Sequence, residues 1–117
     1  MRTCLLRCCA VLLLSSCVPA GKQPAIRLRA ELIDFAKASC LYWYFSKKGY
    51  DLKDIRGISS GMVELGSNSA EEYERVSLLV KQYRPPLKTK QDIDIDLLKC
   101  FTMEHDAAFL RALTGAQ

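Results

Sequence analysis

Cysteine is distributed very unevenly along this chain: Cys4, Cys8, Cys9 and Cys17 crowd the beginning, and only Cys40 and Cys100 remain for everything that follows. What that pair can do depends on what the first segment is. Leu5, Leu6, Ala10 and the run Val11-Leu12-Leu13-Leu14 make it apolar, with Arg2 and Arg7 as its only charges. A basic start, a short apolar stretch and then small residues describe an export signal, whereas a membrane-spanning helix needs about 20 apolar residues in a row. Residues 1–20 therefore read as a removable signal peptide, and residues 21–117 as the single mature domain. Two cleavage readings stand side by side. Leu14-Ser15-Ser16-Cys17 resembles a bacterial lipobox, which would lipidate Cys17 and make it the new N-terminus, while Val18-Pro19-Ala20 suits an ordinary signal peptidase. Either way the expected location is the periplasm, soluble or held to the membrane through a lipid on Cys17.

In an oxidising compartment two remaining cysteines pair with each other, so a Cys40–Cys100 disulfide is expected, ahead of a metal pair or a catalytic thiol. Closing a loop of roughly 60 residues adds up to about 4 kcal/mol in the chain-entropy account. Such a staple matters here, because a domain this small buries only about 60 to 70% of its unfolded surface. Without Arg2 and Arg7 the formal charge of +4 falls to +2 with mixed signs, which gives no clustered basic face for nucleic acid.

The pattern is helical throughout. From Ala25 to Lys48 there is no Gly or Pro, and Lys47-Lys48-Gly49 is a basic last turn followed by a terminating glycine. Leu32, Ile33, Phe35, Ala36, Cys40, Trp43 and Tyr44 recur at steps of three and four and form an inward stripe. Tyr42, Trp43 and Phe45 widen that stripe beyond one face: at about 100° per residue, Leu41 to Phe45 cannot all meet one core. They are either the hub of the bundle or a surface for a partner or a second copy. Asp51 caps a second helix reaching Leu65, with Leu52, Ile55, Ile58, Met62 and Leu65 on one face and Gly66 past its end. Gly57, Ser59, Ser60 and Gly61 thin its middle, which predicts close packing against a neighbouring helix. Ser69-Ala70-Glu71-Glu72 is a capping box opening a third helix whose Tyr73, Val76, Leu79, Val80 and Tyr83 face inward, until Pro85-Pro86 stops it. Leu87 to Asp96 reads as a loop, since alternating Ile93 and Ile95 have no partner strand. A last helix starts at Asp94 or Asp96, and Asp106 recaps it in two. The fold class is all-α: a small bundle of four or five helices stapled by one disulfide.

Catalytic equipment is sparse. His105 is the only histidine, and Cys100 lies five positions away on another side of a continuous helix. Glu104, His105 and Asp106 diverge by about 100° each and do not close on one ion. Asp92, Asp94 and Asp96 lack the glycine and glutamate of a calcium loop, since Leu97 and Met103 stand in those places. No Gly-rich phosphate loop, Gly-x-Ser-x-Gly or His-Glu-x-x-His occurs. The expectation is a non-enzyme with no cofactor and no metal.

Four segments, in order, carry a resemblance: Asp34-Phe35-Ala36-Lys37-Ala38-Ser39-Cys40-Leu41; Lys48-Gly49-Tyr50; Ser60-Gly61-Met62-Val63-Glu64-Leu65-Gly66; and Leu98-Lys99-Cys100-Phe101. Over residues 30–113 the chain resembles the periplasmic immunity proteins of type VI secretion amidase effectors. The resemblance implies an all-helical homodimer that plugs the active site of a peptidoglycan amidase delivered by neighbouring cells. Only the cysteine pair maps onto family positions, and the lipobox is a departure from the simply secreted pattern. For the contact with a partner the sequence offers Ser67, Asn68, Glu71, Glu72 and Glu74, a polar acidic edge that equally complements a helix dipole. The alternative function is a small helical lipoprotein, held by Cys17, acting as an envelope adaptor or structural element.

Overall fold

The computed structural model describes residues 22–115, and the expected signal segment with Cys17 lies outside them. Its elements are α1 (Lys22–Lys48), α2 (Lys53–Leu65), α3 (Ala70–Gln82), α4 (Ile95–Thr102), a 3-10 turn (Met103–His105) and α5 (Ala107–Leu113). No strand occurs among the described residues, and Cys40 is bonded to Cys100, so the fold is the disulfide-stapled all-α bundle that the sequence predicts.

α1 is the spine. It begins three residues before Ala25, with Pro24 inside its first turn, where a missing amide hydrogen costs nothing because that amide has no intrahelical acceptor. Its other end closes as expected: Gly49 adopts φ +73°, the Tyr50 amide donates to the Phe45 carbonyl at 2.9 Å, and the Gly49 amide to that of Ser46 at 3.2 Å. Those two bonds make a Schellman cap, and the left-handed position is one that glycine fills without a steric penalty.

Local capping is otherwise close to expectation, with two shifts. Asp51 accepts from the Lys53 amide at 2.8 Å, but the cap position itself is Leu52, so the carboxylate forms a turn ahead of α2 rather than an N-cap. At α3 the Ser69 hydroxyl accepts from the Glu72 amide at 3.2 Å, while the Glu72 carboxylate pairs with Arg75 at 2.9 Å. Asp94 and Asp106 cap α4 and α5 through backbone amides at 2.9 Å, which selects Asp94 as the start of the last segment and confirms the break at Asp106.

The core lies between α1, α3, α4 and α5. Leu32, Phe35, Ala36, Ser39 and Cys40 form the buried stripe of α1; Tyr73, Val76 and Val80 face it from α3, and Cys100, Met103, Phe109 and Leu113 close it from the C-terminal segment. Phe35 meets Tyr73 edge to face, and Tyr83 meets Phe109, each pair with ring centroids 4.9 Å apart. Each large apolar side chain buried here contributes about 1.5 to 3 kcal/mol. Cys40 and Cys100 are both fully buried within this core, with Cα atoms 5.4 Å apart, so the staple joins α1 to α4 at the packed centre. Polar ties surround it. Lys47 pairs with Asp96 and Lys48 with Asp94, joining the last turn of α1 to the first of α4, and Arg75 donates to the carbonyls of Ala112 and Leu113 at the end of α5.

α2 departs from the expectation. Only Ile55 of its apolar face is buried and Met62 is partly so, while Ile58 is 52% and Leu65 86% exposed. Of its small residues the Ser59 hydroxyl is buried, but no helix packs on the glycines: a Cβ placed on Gly57 or Gly61 would meet no atom within 4 Å. The physical reason is that α2 leans mainly on α1, along one narrow line, and α3 to α5 stand elsewhere around that spine. Gly66 is needed for closeness, not handedness. Its φ is −78°, but a Cβ there would stand 1.7 Å from the Tyr73 hydroxyl and 2.6 Å from the Met62 carbonyl.

Candidate functional site

The polar edge proposed for a partner divides in two. Ser67 and Asn68 turn back onto α1: the Ser67 amide donates to Glu31 at 2.7 Å, and the Asn68 amide group to the Leu28 carbonyl at 3.1 Å. Glu31 also accepts from Arg27, and the Ser67 amide is the main cause that holds its carboxyl below the usual range. Glu72 is engaged with Arg75, which leaves Glu71 and Glu74 as the exposed acids of α3. The structure therefore gives Ser67, Asn68 and Glu72 a role in fixing the α2–α3 turn and α3 itself.

The aromatic turn divides as well. Tyr42, Trp43 and Phe45 are all half-buried. Trp43 faces α3, with its indole N–H donating to the Ser77 carbonyl at 3.3 Å and the Lys81 ammonium 4.5 Å from its ring centroid; Tyr42 packs against it edge on. Phe45 belongs to a second group with Tyr44 and Tyr50, the latter 55% exposed. Five bulky residues in a row thus serve two sides of α1, as helical geometry requires.

What the sequence pattern hides is the outer side of α2. Ile58, Met62 and Leu65 flank a shallow groove against α1 that Asp34 and Glu31 border, while Val63, about 140° round the helix from Ile58, stands with Ser59, Ser60 and Glu64 beside a separate hollow against Phe35. Apolar side chains in the middle, small residues that leave the backbone accessible, and carboxylates at the rim make a surface suited to another protein. Its signal was present in the sequence as a helix too thin for its apolar face, but the pattern reports an apolar face without reporting what covers it.

No family model matches the chain, and no curated protein or solved structure does. Among the described residues no three His, Cys, Asp or Glu side chains group as a metal site would. His105 is 80% exposed, 3.9 Å from Glu104, and Glu104 is already held by Lys37 at 3.2 Å. Both core thiols are consumed in the disulfide, so neither is a nucleophile in the oxidised protein. The shifted carboxyls have structural causes: Lys48 holds Asp94 below the usual carboxylate range, Lys47 does so for Asp96, and the Tyr83 hydroxyl does so for Asp106. Desolvation and the Asp106 acceptor push the Tyr83 hydroxyl far up, which keeps it a donor across the accessible pH range.

Proposed function

We propose that this chain is a periplasmic protein-binding domain of the immunity type, which inhibits a cognate peptidoglycan amidase effector and acts as a homodimer. The observation that carries the reading is the α2 groove, where Ile58 and Leu65 stand in solvent although α2 is well formed and closed by tight packing at Gly66. A small domain gains nothing in its own stability from two large apolar side chains side by side in water, and such a patch is used when something else covers it. The order of its cysteine, Gly-Tyr, small-residue and Lys-Cys segments supports the immunity family as the kind of partner-binding protein it is. In this reading the exposed acids Glu71 and Glu74 of α3 contribute to orientation and association rate more than to affinity.

The test is a pull-down with peptidoglycan amidase effectors, followed by cell-wall cleavage. Wild type should form a tight complex and stop cleavage. The double variant Ile58→Lys, Leu65→Lys should fold normally, lose at least about tenfold in affinity and restore cleavage, since each interface anchor is typically worth more than about 1 kcal/mol. Glu71→Lys with Glu74→Lys should slow association with a smaller loss. A folded, oxidised wild type that binds no amidase overturns the proposal and favours the envelope adaptor held by Cys17.

A further inference from the structure

A second concave site lies on the side of α1 away from the α2 groove. Asp34 and Trp43 are nine residues apart on α1, which places them on opposite faces of the helix. On the Trp43 side, α1, the end of α3 and α4 enclose a cleft of about 170 Å³, walled by the Trp43 indole and Val80 and lined by Lys47, Lys81, Arg84, Lys99 and Asp96. Four cations and one carboxylate share this space.

Their arrangement is more than a scatter of surface lysines. The Tyr83 carbonyl accepts from Lys99 at 3.2 Å and from Arg84 at 2.9 Å, so two cations converge on one oxygen. Asp96 pairs with Lys47, and its other oxygen is 4.0 Å from the Lys99 ammonium. Lys81 lies over the Trp43 ring, and neither it nor Arg84 has a carboxylate partner within 4.0 Å among the described residues. Lys99 is the telling member. Its side chain is only 12% exposed, yet of the three protons on its ammonium the structure gives one a close acceptor.

Charge complementation inside the fold explains part of this and leaves the rest. The carbonyl end of α3 supplies roughly half a negative charge. Asp96 supplies one more. Against four cations that leaves the cleft strongly positive, and burial, Arg84 and Lys47 all depress the Lys99 ammonium below its usual range. An entering oxyanion would take up unused donors of Lys99, Lys81 and Arg84 together, in charge-assisted hydrogen bonds that are about twice as strong as neutral ones. The Trp43 and Val80 wall adds a preference, because it can cover the aliphatic stem of a carboxylate and finds nothing to cover on inorganic phosphate.

We infer that this cleft is a binding site for a carboxylate group carried on a short aliphatic stem, held by Lys99, Arg84 and Lys81 against the Trp43 ring. It could be offered by an acidic side chain or by a peptide C-terminus, and the site does not depend on whether the α2 surface binds an amidase.

Trp43 is the only tryptophan in the chain, so its fluorescence reports on the cleft alone. The oxidised protein is titrated at constant ionic strength with N-acetylglutamate amide, which presents a side-chain carboxylate, with N-acetyl-alanylalanine, which presents a terminal one, with N-acetylglutamine amide and with inorganic phosphate. A saturable change with either carboxylate probe, absent with the glutamine compound and weaker with phosphate, is the expected result, and the stronger of the two probes names the source. Lys99→Met should weaken that binding at least tenfold. Arg84→Gln, at an exposed position outside the core, should weaken it several-fold even if Lys99→Met fails to fold. The inference is overturned if neither carboxylate probe gives a saturable change, if the glutamine compound binds equally well, if phosphate binds more tightly, or if folded Arg84→Gln binds as wild type does.

Discussion

α2 and α3 have the same length and almost opposite surroundings. α3 lies between α1 and α5, buries Tyr73, Val76 and Val80, and is tied by Arg75 to the end of α5. α2 buries Ile55 alone, is held mainly against α1, and keeps Ile58, Val63 and Leu65 in water. Both are amphipathic, so amphipathicity alone does not say where a helix sits. The difference comes from the staple and its ion pairs, which draw α4 and α5 onto the side of α1 where α3 lies and leave the α2 side uncovered. Stability is concentrated in one half of the molecule and accessible apolar surface in the other.

Breaking the disulfide is the strongest way to test that division. Cys40→Ser should lower stability by about 4 kcal/mol, or roughly 16 to 32 °C in the thermal midpoint. The protection of α4 and α5 in hydrogen exchange should fall furthest, and an unchanged midpoint would remove the staple from the account. Glycine substitutions sharpen the contrast. Gly66→Ala drives a methyl group into Tyr73 and should cost about 1 to 3 kcal/mol. Gly57→Ala and Gly61→Ala face open space in α2 and should each stabilise by about 0.5 to 1 kcal/mol. Denaturant midpoints would show the opposite signs directly.

Acid provides the smallest and most graded probe. Asp94, Asp96 and Asp106 have folded pKa values below their ordinary ones, through Lys48, Lys47 and Tyr83 respectively. A lowered carboxyl pKa means that its stabilisation is present above the unfolded value and is lost as pH falls through the folded one. The thermal midpoint should therefore hold steady at neutral pH and decline below about pH 4. Asp106→Asn should flatten part of that decline, and a midpoint that rises on acidification would contradict the assignment.

α3 was legible because cap, stripe and stop are local signals that agree: Ser69, the Tyr73 to Val80 spacing, and Pro85-Pro86. The Schellman end at Gly49 and the recapping at Asp106 were legible for the same reason. The cysteine pairing was legible because Cys40 and Cys100 are the only two cysteines beyond the first 20 residues. The uncovered side of α2 was not, because periodicity identifies an apolar face and stays silent about its neighbour. The Gly66 contact depends on Tyr73, whose approach is set by packing across a turn. The basic cleft gathers Lys47, Lys81 and Lys99 from three helices and Arg84 from the segment after α3, and no spacing along the chain announces that they meet. Ser67 and Asn68 looked like surface polar residues because their partner, Glu31, lies on a different helix.

The covalent link between α1 and α4 also has a mechanical meaning. It encloses α2 and α3 in a closed loop of chain, with a sequence separation of 60 between the bonded residues. A pull applied at the two ends of the described chain would run along α1, through the sulfur bridge and out along α4 and α5, bypassing everything between. Only residues 22–39 and 101–115 could be drawn out, while α2 and α3 would carry no load. Both surfaces offered to partners, the apolar side of α2 and the cleft at the end of α3, are thus built largely on the part of the molecule that tension does not reach.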